Sequence, residues 1–408
     1  MTQQDLVSRA ASEAARESYG KLLAWLAWKW KDLEAAEDAL ADAFERALVH
    51  WPKQGIPTSP EAWLLTVAKR QLMQAARRKP SRTLNNSQPL EGVLELTAEI
   101  PDERLRLLFV CSHPALDESV RIPLMLQMVL GLQAQQIAPA LLVSPVALAQ
   151  RLVRAKQKIR QAGIVLDLPE KKALRERLHC VLEAIYATYG LASDAMAGAE
   201  NRVSELRSEA IYLAEIVAQF LPDQAEALGL LSLLLFCESR VPARRERPGE
   251  FIPLSQQNVS LWRRDHIVQA NQILWRASTL GQVGPYQLEA AIQSAHSQRL
   301  QGLATPWSAI AQLYDQLNAQ HPTVGSRVAE AVAWAESDQL ERALHLLAQV
   351  QPMALSYQPW WVAQAFVCEK LGSLVEARSS YREAIRLTQH EALKNYLQGK
   401  IQALELSS

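Results

Sequence analysis

The chain has 408 residues, 49 % of them apolar, and its 43 Lys+Arg balance 43 Asp+Glu. That length exceeds one ordinary core, which stops growing beyond roughly 250 residues, so two or three domains are expected; the apolar share without low-complexity tracts excludes a disordered chain. Cys111, Cys180, Cys237 and Cys368 form no C-x-x-C pair, which suggests neither a zinc ribbon nor a disulfide framework and predicts buried free thiols. The opening residues lack the basic-then-apolar pattern of a signal peptide and no window approaches 18 uninterrupted apolar residues, so a reducing cytoplasm and no membrane partner are expected.

Nearly every long segment repeats its apolar residues with helical period, and no alternating β-branched run bounded by turns argues for a sheet: the chain reads as all-α. In "LEAAEDALADAFERALVHW" the residues Ala36, Leu40, Phe44, Ala47 and Leu48 fall at helical spacing, leaving Glu37, Asp38, Asp42 and Glu45 more outward. The Pro and Gly of "WPKQGIPTSP" then stop the helix. Ser59 and Pro60 suit the N-cap and first position of the next helix, "EAWLLTVAKRQLMQAARRK". Lys69, Arg70, Arg77, Arg78, Lys79 and Arg82 concentrate positive charge on and after it, a pattern that neutralises phosphates. Trp63, near its start, either joins a core or stacks an unpaired base. Residues 81–101 carry turn formers with little helical pattern and read as a linker. Extended, the stretch from Pro80 to Pro101 reaches roughly 70 Å, about two turns of B-DNA at ~34 Å per turn.

A second helical group occupies residues 102–165. "IPLMLQMVLGL" ends at Gly131, "QAQQIAPALLV" gives a short helix containing Pro139, which removes a hydrogen bond at about 3 kcal/mol, and "SPVALAQRLVRAKQKIR" follows, with five positive charges and no negative one. Ser144 can N-cap this last helix and Pro145 suits its first position. Leu148, Leu152, Ala155 and Ile159 form one apolar stripe, and Arg151, Arg154 and Lys158 an adjacent basic one. A long helix, a short helix, a tight turn and a basic helix make a helix-turn-helix, whose last helix enters the major groove. The charge balance agrees: residues 1–165 hold 21 Lys+Arg against 17 Asp+Glu, and residues 166–408 hold 22 against 26.

The remaining chain, 166–408, continues helical. "VPARRERPGEF" is a cationic loop, either solvated or a contact for DNA or protein. Near the end Ala331, Ala343, Leu347 and Val350 superimpose at an offset of 34 residues on Ala365, Ala377, Tyr381 and Ala384, with Gly372 at a turn. That period matches tetratricopeptide-like helix pairs, which bury their faces only by stacking; a plain pair of helical hairpins fits nearly as well. Tyr357, Trp360 and Trp361 either line a partner groove or pack a core. No Gly-rich phosphate loop, H-E-x-x-H or nucleophile elbow occurs, so no catalytic residue, cofactor or metal ligand is assigned. An α-helical interaction scaffold with incidental basic helices stands as the alternative to a DNA-binding protein.

The order of these segments, from "AAEDALADAFERALVHWP" through "PEAWLLTVAKRQLMQAARR" to "AQRLVRAKQKIR", resembles the extracytoplasmic-function group of bacterial sigma-70 factors. "IPDERLRLLFVCSHPAL", "SEAIYLAEIVAQFLPDQAEALGLLSLLLF" and "GPYQLEAAIQSAHS" are similar to its subgroup with a large, tetratricopeptide-like C-terminal extension. The resemblance implies region 2 at 1–80, the linker at 81–101, region 4 at 102–165 and the extension at 166–408. It implies core RNA polymerase as partner, through its β′ clamp helices and β flap, with Glu37, Asp38, Asp42 and Glu45 docking on the clamp. It implies promoter DNA as the second partner. Trp63, Lys69, Arg70, Arg77 and Arg78 would meet the −10 element and Gln150, Arg151, Arg154 and Lys158 the −35 element, Arg and Gln suiting guanine and adenine edges. A small DGPF-domain protein is a further implied partner. The chain departs from the subgroup at "IYATYGLASD", where an Asn-Glu-Gly-Tyr run is common, and before Trp262, where an acidic stretch is common.

Overall fold

The computed structural model describes residues 18–78, 102–141, 143–194, 200–244 and 249–406; the linker at 81–101, with Lys79 and Arg82, lies outside them. Among the described residues every regular element is a helix, as the periodicity requires. The chain divides into two compact units, Met1–Leu206 and Arg207–Ser408.

The first unit opens with α1 (18–30) and α2 (Leu33–Gln54). Lys31 separates them in the left-handed region, and the Asp32 carboxylate accepts from the Ala35 N–H at 3.0 Å, satisfying one of the free donors at the start of α2. α2 buries Leu33, Ala36, Ala39, Leu40, Ala43, Ala47 and Trp51, and its small residues admit α3 (Pro60–Arg78) against it. Leu48, expected on this buried face, is 45 % exposed: it lies about 100° around the helix from Ala47, outside the stripe that α3 covers. Pro52 sits within the last turn of α2, and the helix ends at Gly55, whose φ of 88° only glycine adopts readily.

α4 (Arg104–Cys111), α5 (Glu118–Leu130), α6 (Ala134–Ile137) and α7 (Pro145–Gln161) follow. α6 is a single turn. Pro139 falls in the 3-10 turn Ala138–Leu141 behind it, so the short helix stops where the ring would interrupt its ladder. Ser144 caps α7 by accepting from Ala147 N–H at 3.1 Å, and Leu148, Leu152, Ala155 and Ile159 are its buried residues, the stripe read from sequence. α8 (Lys171–Asp194), grouped by sequence with the extension, packs on α4 and α5 within this unit. Of the four thiols, Cys111 and Cys368 are buried, while Cys180 and Cys237 are only half-buried; burial pushes the Cys111 and Cys180 thiols up, the latter to about 11.

α9 (Glu200–Phe220) spans the division. In the second unit α10 (Ala225–Ser239) is buried almost all round and packs on α12 (Arg264–Thr279) and α13 (Pro285–Ser297). α11 (Val241–Arg244) begins the segment read as a cationic loop; Val241 and Ala243 are buried, and residues 245–248 lie outside the described set. Glu226 reaches from α10 to accept from the N–H groups of Tyr286 and Gln287 at 2.9 and 3.1 Å, capping α13 from another helix. Glu238 is nearly buried between Arg207 Nε at 3.0 Å and Arg263 Nη1 at 3.1 Å.

α14 (Trp307–Gln320) leads into α15 (Val324–Glu336), α16 (Leu340–Ala354), α17 (Gln358–Lys370) and α18 (Leu374–Leu387), with α19 (Glu391–Leu406) packed on α18. The α15–α16 and α17–α18 hairpins start 34 residues apart, and all eight residues of the repeat are buried. Corresponding backbone bonds recur in their turns. Ser337 N–H donates to Ala333 O and Gln339 N–H to Trp334 O; Leu371 N–H donates to Val367 O and Ser373 N–H to Cys368 O. The left-handed position is Asp338 (φ 61°) in the first copy and Gly372 (φ 76°) in the second. Trp360 is core, its indole donating to the Leu347 carbonyl at 3.0 Å, while Tyr357 is 38 % exposed. Gly372→Ala should therefore cost about 1 kcal/mol while Asp338→Gly costs nothing; urea unfolding of the full chain in which both variants lose equally would contradict the shared turn.

Candidate functional site

The acidic face of α2 is divided by its partners. Asp38 and Glu45 are exposed. Asp42 is half-buried and pairs with Arg46 at 3.1 Å, one turn on, and Arg46 donates to Gln71 of α3 at 3.2 Å. Glu37 faces α7, where Lys156 Nζ lies 2.8 and 2.9 Å from its two oxygens. Sequence reasoning missed Leu48 and Val49, 45 % and 52 % exposed, which extend the Asp38–Asp42–Glu45 stripe with apolar surface.

On α3, Ser59 accepts from Ala62 N–H at 3.4 Å, as the capping pattern implies. Trp63, Arg70 and Arg77 recur every seven residues and so share one face. Arg70 and Arg77 are exposed. Trp63 is half-buried, its ring packed edge-on to Trp51 at 5.6 Å and near His50 at 6.5 Å. Lys69 lies over the Trp25 ring at 4.5 Å; burial there pulls its ammonium below the usual lysine range, and the charge of Lys29 adds to this. The Arg78 side chain lies outside the described set.

The five cations of α7 separate into two groups because its apolar stripe fixes the helix's rotation. Gln150, Arg151, Arg154 and Lys158 are all exposed, and among the described residues none of the three cations forms an ion pair closer than 4.0 Å. Lys156 and Arg160, one turn apart, point at α2 and pair with Glu37 and Glu34. Sequence reading assigned neither to a contact. The arrangement offers an exposed basic face for phosphates and base edges on one helix, and a mixed acidic and apolar face for protein on another. Among the described residues no three His, Cys, Asp or Glu gather as metal ligands, and no helix is long and apolar enough to cross a membrane.

These helices point to a class of protein: residues 15–82 match the family model for sigma-70 region 2, which supports an RNA polymerase sigma factor of the sigma-70 family. Residues 177–278, from α8 into α12, match a family of unknown function (DUF6596). Across its whole length the chain is 32 % identical to an uncharacterised protein of Rhizobium meliloti (strain 1021), over 99 % of this chain and 97 % of that one, and it belongs to the same family.

The Trp51–Trp63 contact gives Trp63 a structural share whatever else it touches. Trp63→Ala should lower the stability of the first unit by about 2–3 kcal/mol and Trp63→Phe by less than half of that. Thermal unfolding by near-ultraviolet circular dichroism decides it, and an unchanged alanine variant would contradict that structural share.

Proposed function

We propose that the protein is an extracytoplasmic-function sigma factor that binds core polymerase and directs initiation at its own promoters, working in the cytoplasm, with a tetratricopeptide-like extension that regulates it. One observation carries the DNA-reading half of this proposal: Gln150, Arg151, Arg154 and Lys158 stand exposed on the final helix of a helix-turn-helix in the same unit as region 2. A helix so placed reads the −35 element through Arg and Gln on base edges and Lys158 on phosphate. Arg70 and Arg77, with Lys69 and Arg78 beside them, track the backbone at the −10 element, Trp63 supplying an aromatic face next to the separated strand.

For the protein-facing half, Asp38, Asp42 and Glu45 with exposed Leu48 and Val49 dock on the β′ clamp helices, and α7's domain meets the β flap. Glu37 joins this surface when released from Lys156. The 34-residue register of α15–α18 supports the tetratricopeptide-like reading of the extension, whose proposed partner is a small DGPF-domain protein.

Transcription in vitro with purified core polymerase and the protein's own upstream region tests the reading. Arg151→Ala or Arg154→Ala should reduce specific transcript roughly 5- to 100-fold while polymerase affinity holds. Asp38→Ala with Asp42→Ala should weaken polymerase binding roughly tenfold, leaving DNA contacts intact. Equal loss of both functions in either set would contradict the division of labour, and no transcript with the full-length protein would return the scaffold reading.

A further inference from the structure

Region 2 and the helix-turn-helix meet along one side of α1 and α2. Lys156 of α7 holds both Glu37 oxygens, and Arg160 pairs with Glu34 one turn earlier. Arg106 of α4 lies over the Trp28 ring at 5.2 Å, and Lys31 reaches the Leu166 carbonyl at 3.5 Å and Asp167 at 3.8 Å. At the other end α1 and α5 touch backbone to backbone. A Cβ on Gly20 would overlap the Val129 carbonyl, and one on Gly131 would lie 3.0 Å from the Tyr19 ring. Burial raises the Tyr19 hydroxyl's pKa, and the Glu37 carboxylate adds to it. A cavity of about 430 Å³ remains between α2 and α7, lined by Lys31, Glu34, Lys156 and Arg160 among others.

We propose that this seam is an autoinhibitory closure, in which Lys156 and Arg160 of the DNA-reading helix occupy carboxylates of the polymerase-facing helix. The inference rests on the sigma reading above. Reading two separated promoter elements requires α3 and α7 to move apart, whereas the seam holds them in one body. Docking on polymerase through Glu37 needs that carboxylate free, while Asp38, Asp42 and Glu45 stand clear of the seam. When only the open fraction is competent, apparent affinity falls by that fraction, so anything that weakens the seam tightens polymerase binding. The cations involved are the two on α7 that carry no assigned DNA contact, which lets closure be altered without touching readout.

Two measurements on the full chain test this. A carbodiimide activates the Glu37 carboxylate, the Lys156 amine displaces it to form an amide, and the reagent leaves as its urea; mass spectrometry should find the Glu37–Lys156 peptide pair in the free protein and lose it when core polymerase is added. Absence of that pair in the free protein, or its persistence on polymerase, overturns the closure. In the second measurement, Lys156→Gln with Arg160→Gln should bind core polymerase roughly three- to tenfold more tightly than wild type. Gly20→Ala should do the same, because alanine favours the α1 helix by about 1 kcal/mol while its Cβ blocks the approach of α5. Lys171→Gln with Lys172→Gln, an equal loss of charge on α8, should leave affinity unchanged. Equal affinity across wild type and both seam variants overturns the proposal. Failure of every form to bind core polymerase sinks the sigma reading and the inhibitory role with it, while the cross-link still reports the contact itself.

Discussion

The apolar stripe of α7 is the constraint on which the rest of the first unit turns. Leu148, Leu152, Ala155 and Ile159 recur at intervals of three and four and are buried, so the helix has one rotation in which its core face is satisfied. At 100° per residue that rotation leaves Arg151, Arg154 and Lys158 on one flank and Lys156 and Arg160 on the other. A helix that seemed in sequence to carry a single cationic surface therefore has two, with different partners. One is open to an incoming polyanion and the other is spent on α2.

What the sequence made readable follows from short-range physics. The caps at Ser59 and Ser144, the core stripe of α7 and the 34-residue register all depend on residues within a few turns of each other, or on repetition of the same local unit. The turn shared by the two hairpins shows how far repetition reaches: Asp338 and Gly372 differ chemically, but both meet the left-handed φ that the turn imposes, asparagine, aspartate and glycine being the residues that tolerate it best. Pro139 was also informative, and its effect was larger than a local weakening. It confines the α-helical part of the supporting helix to a single turn.

What could not be read depends on partners distant in sequence. Glu37 and Lys156 are 119 residues apart, and nothing in either local pattern names the other. Leu48 has the spacing of a core residue on a wide stripe, but the alanines of α2 make the actual contact with α3 narrow, and Leu48 falls outside it. Lys69 belongs to a basic cluster by position, yet its stem lies against Trp25, so part of its interaction is already satisfied within the fold. The place of α8 is similar. Its helical pattern is plain, whereas its packing on α4 and α5 is a tertiary choice.

The energetics of these pairs set how firmly the seam is held. Arg160 and Glu34 are 60 % and 44 % exposed, and a pair so open contributes at most about 1 kcal/mol and is weakened by salt. Lys156 and Glu37, at 18 % and 23 %, are more shielded, so their attraction is stronger but so is the cost of having removed both from water. Neither pair alone fixes the two parts together, and the close approach of Gly20 to the Val129 backbone adds contact. Under the proposed closure, a partner that brings its own basic side chains to Glu34 and Glu37 replaces Lys156 and Arg160 contact for contact. The seam then opens to the extent that the partner binds the open form better than the closed one, and no separate energy source is required.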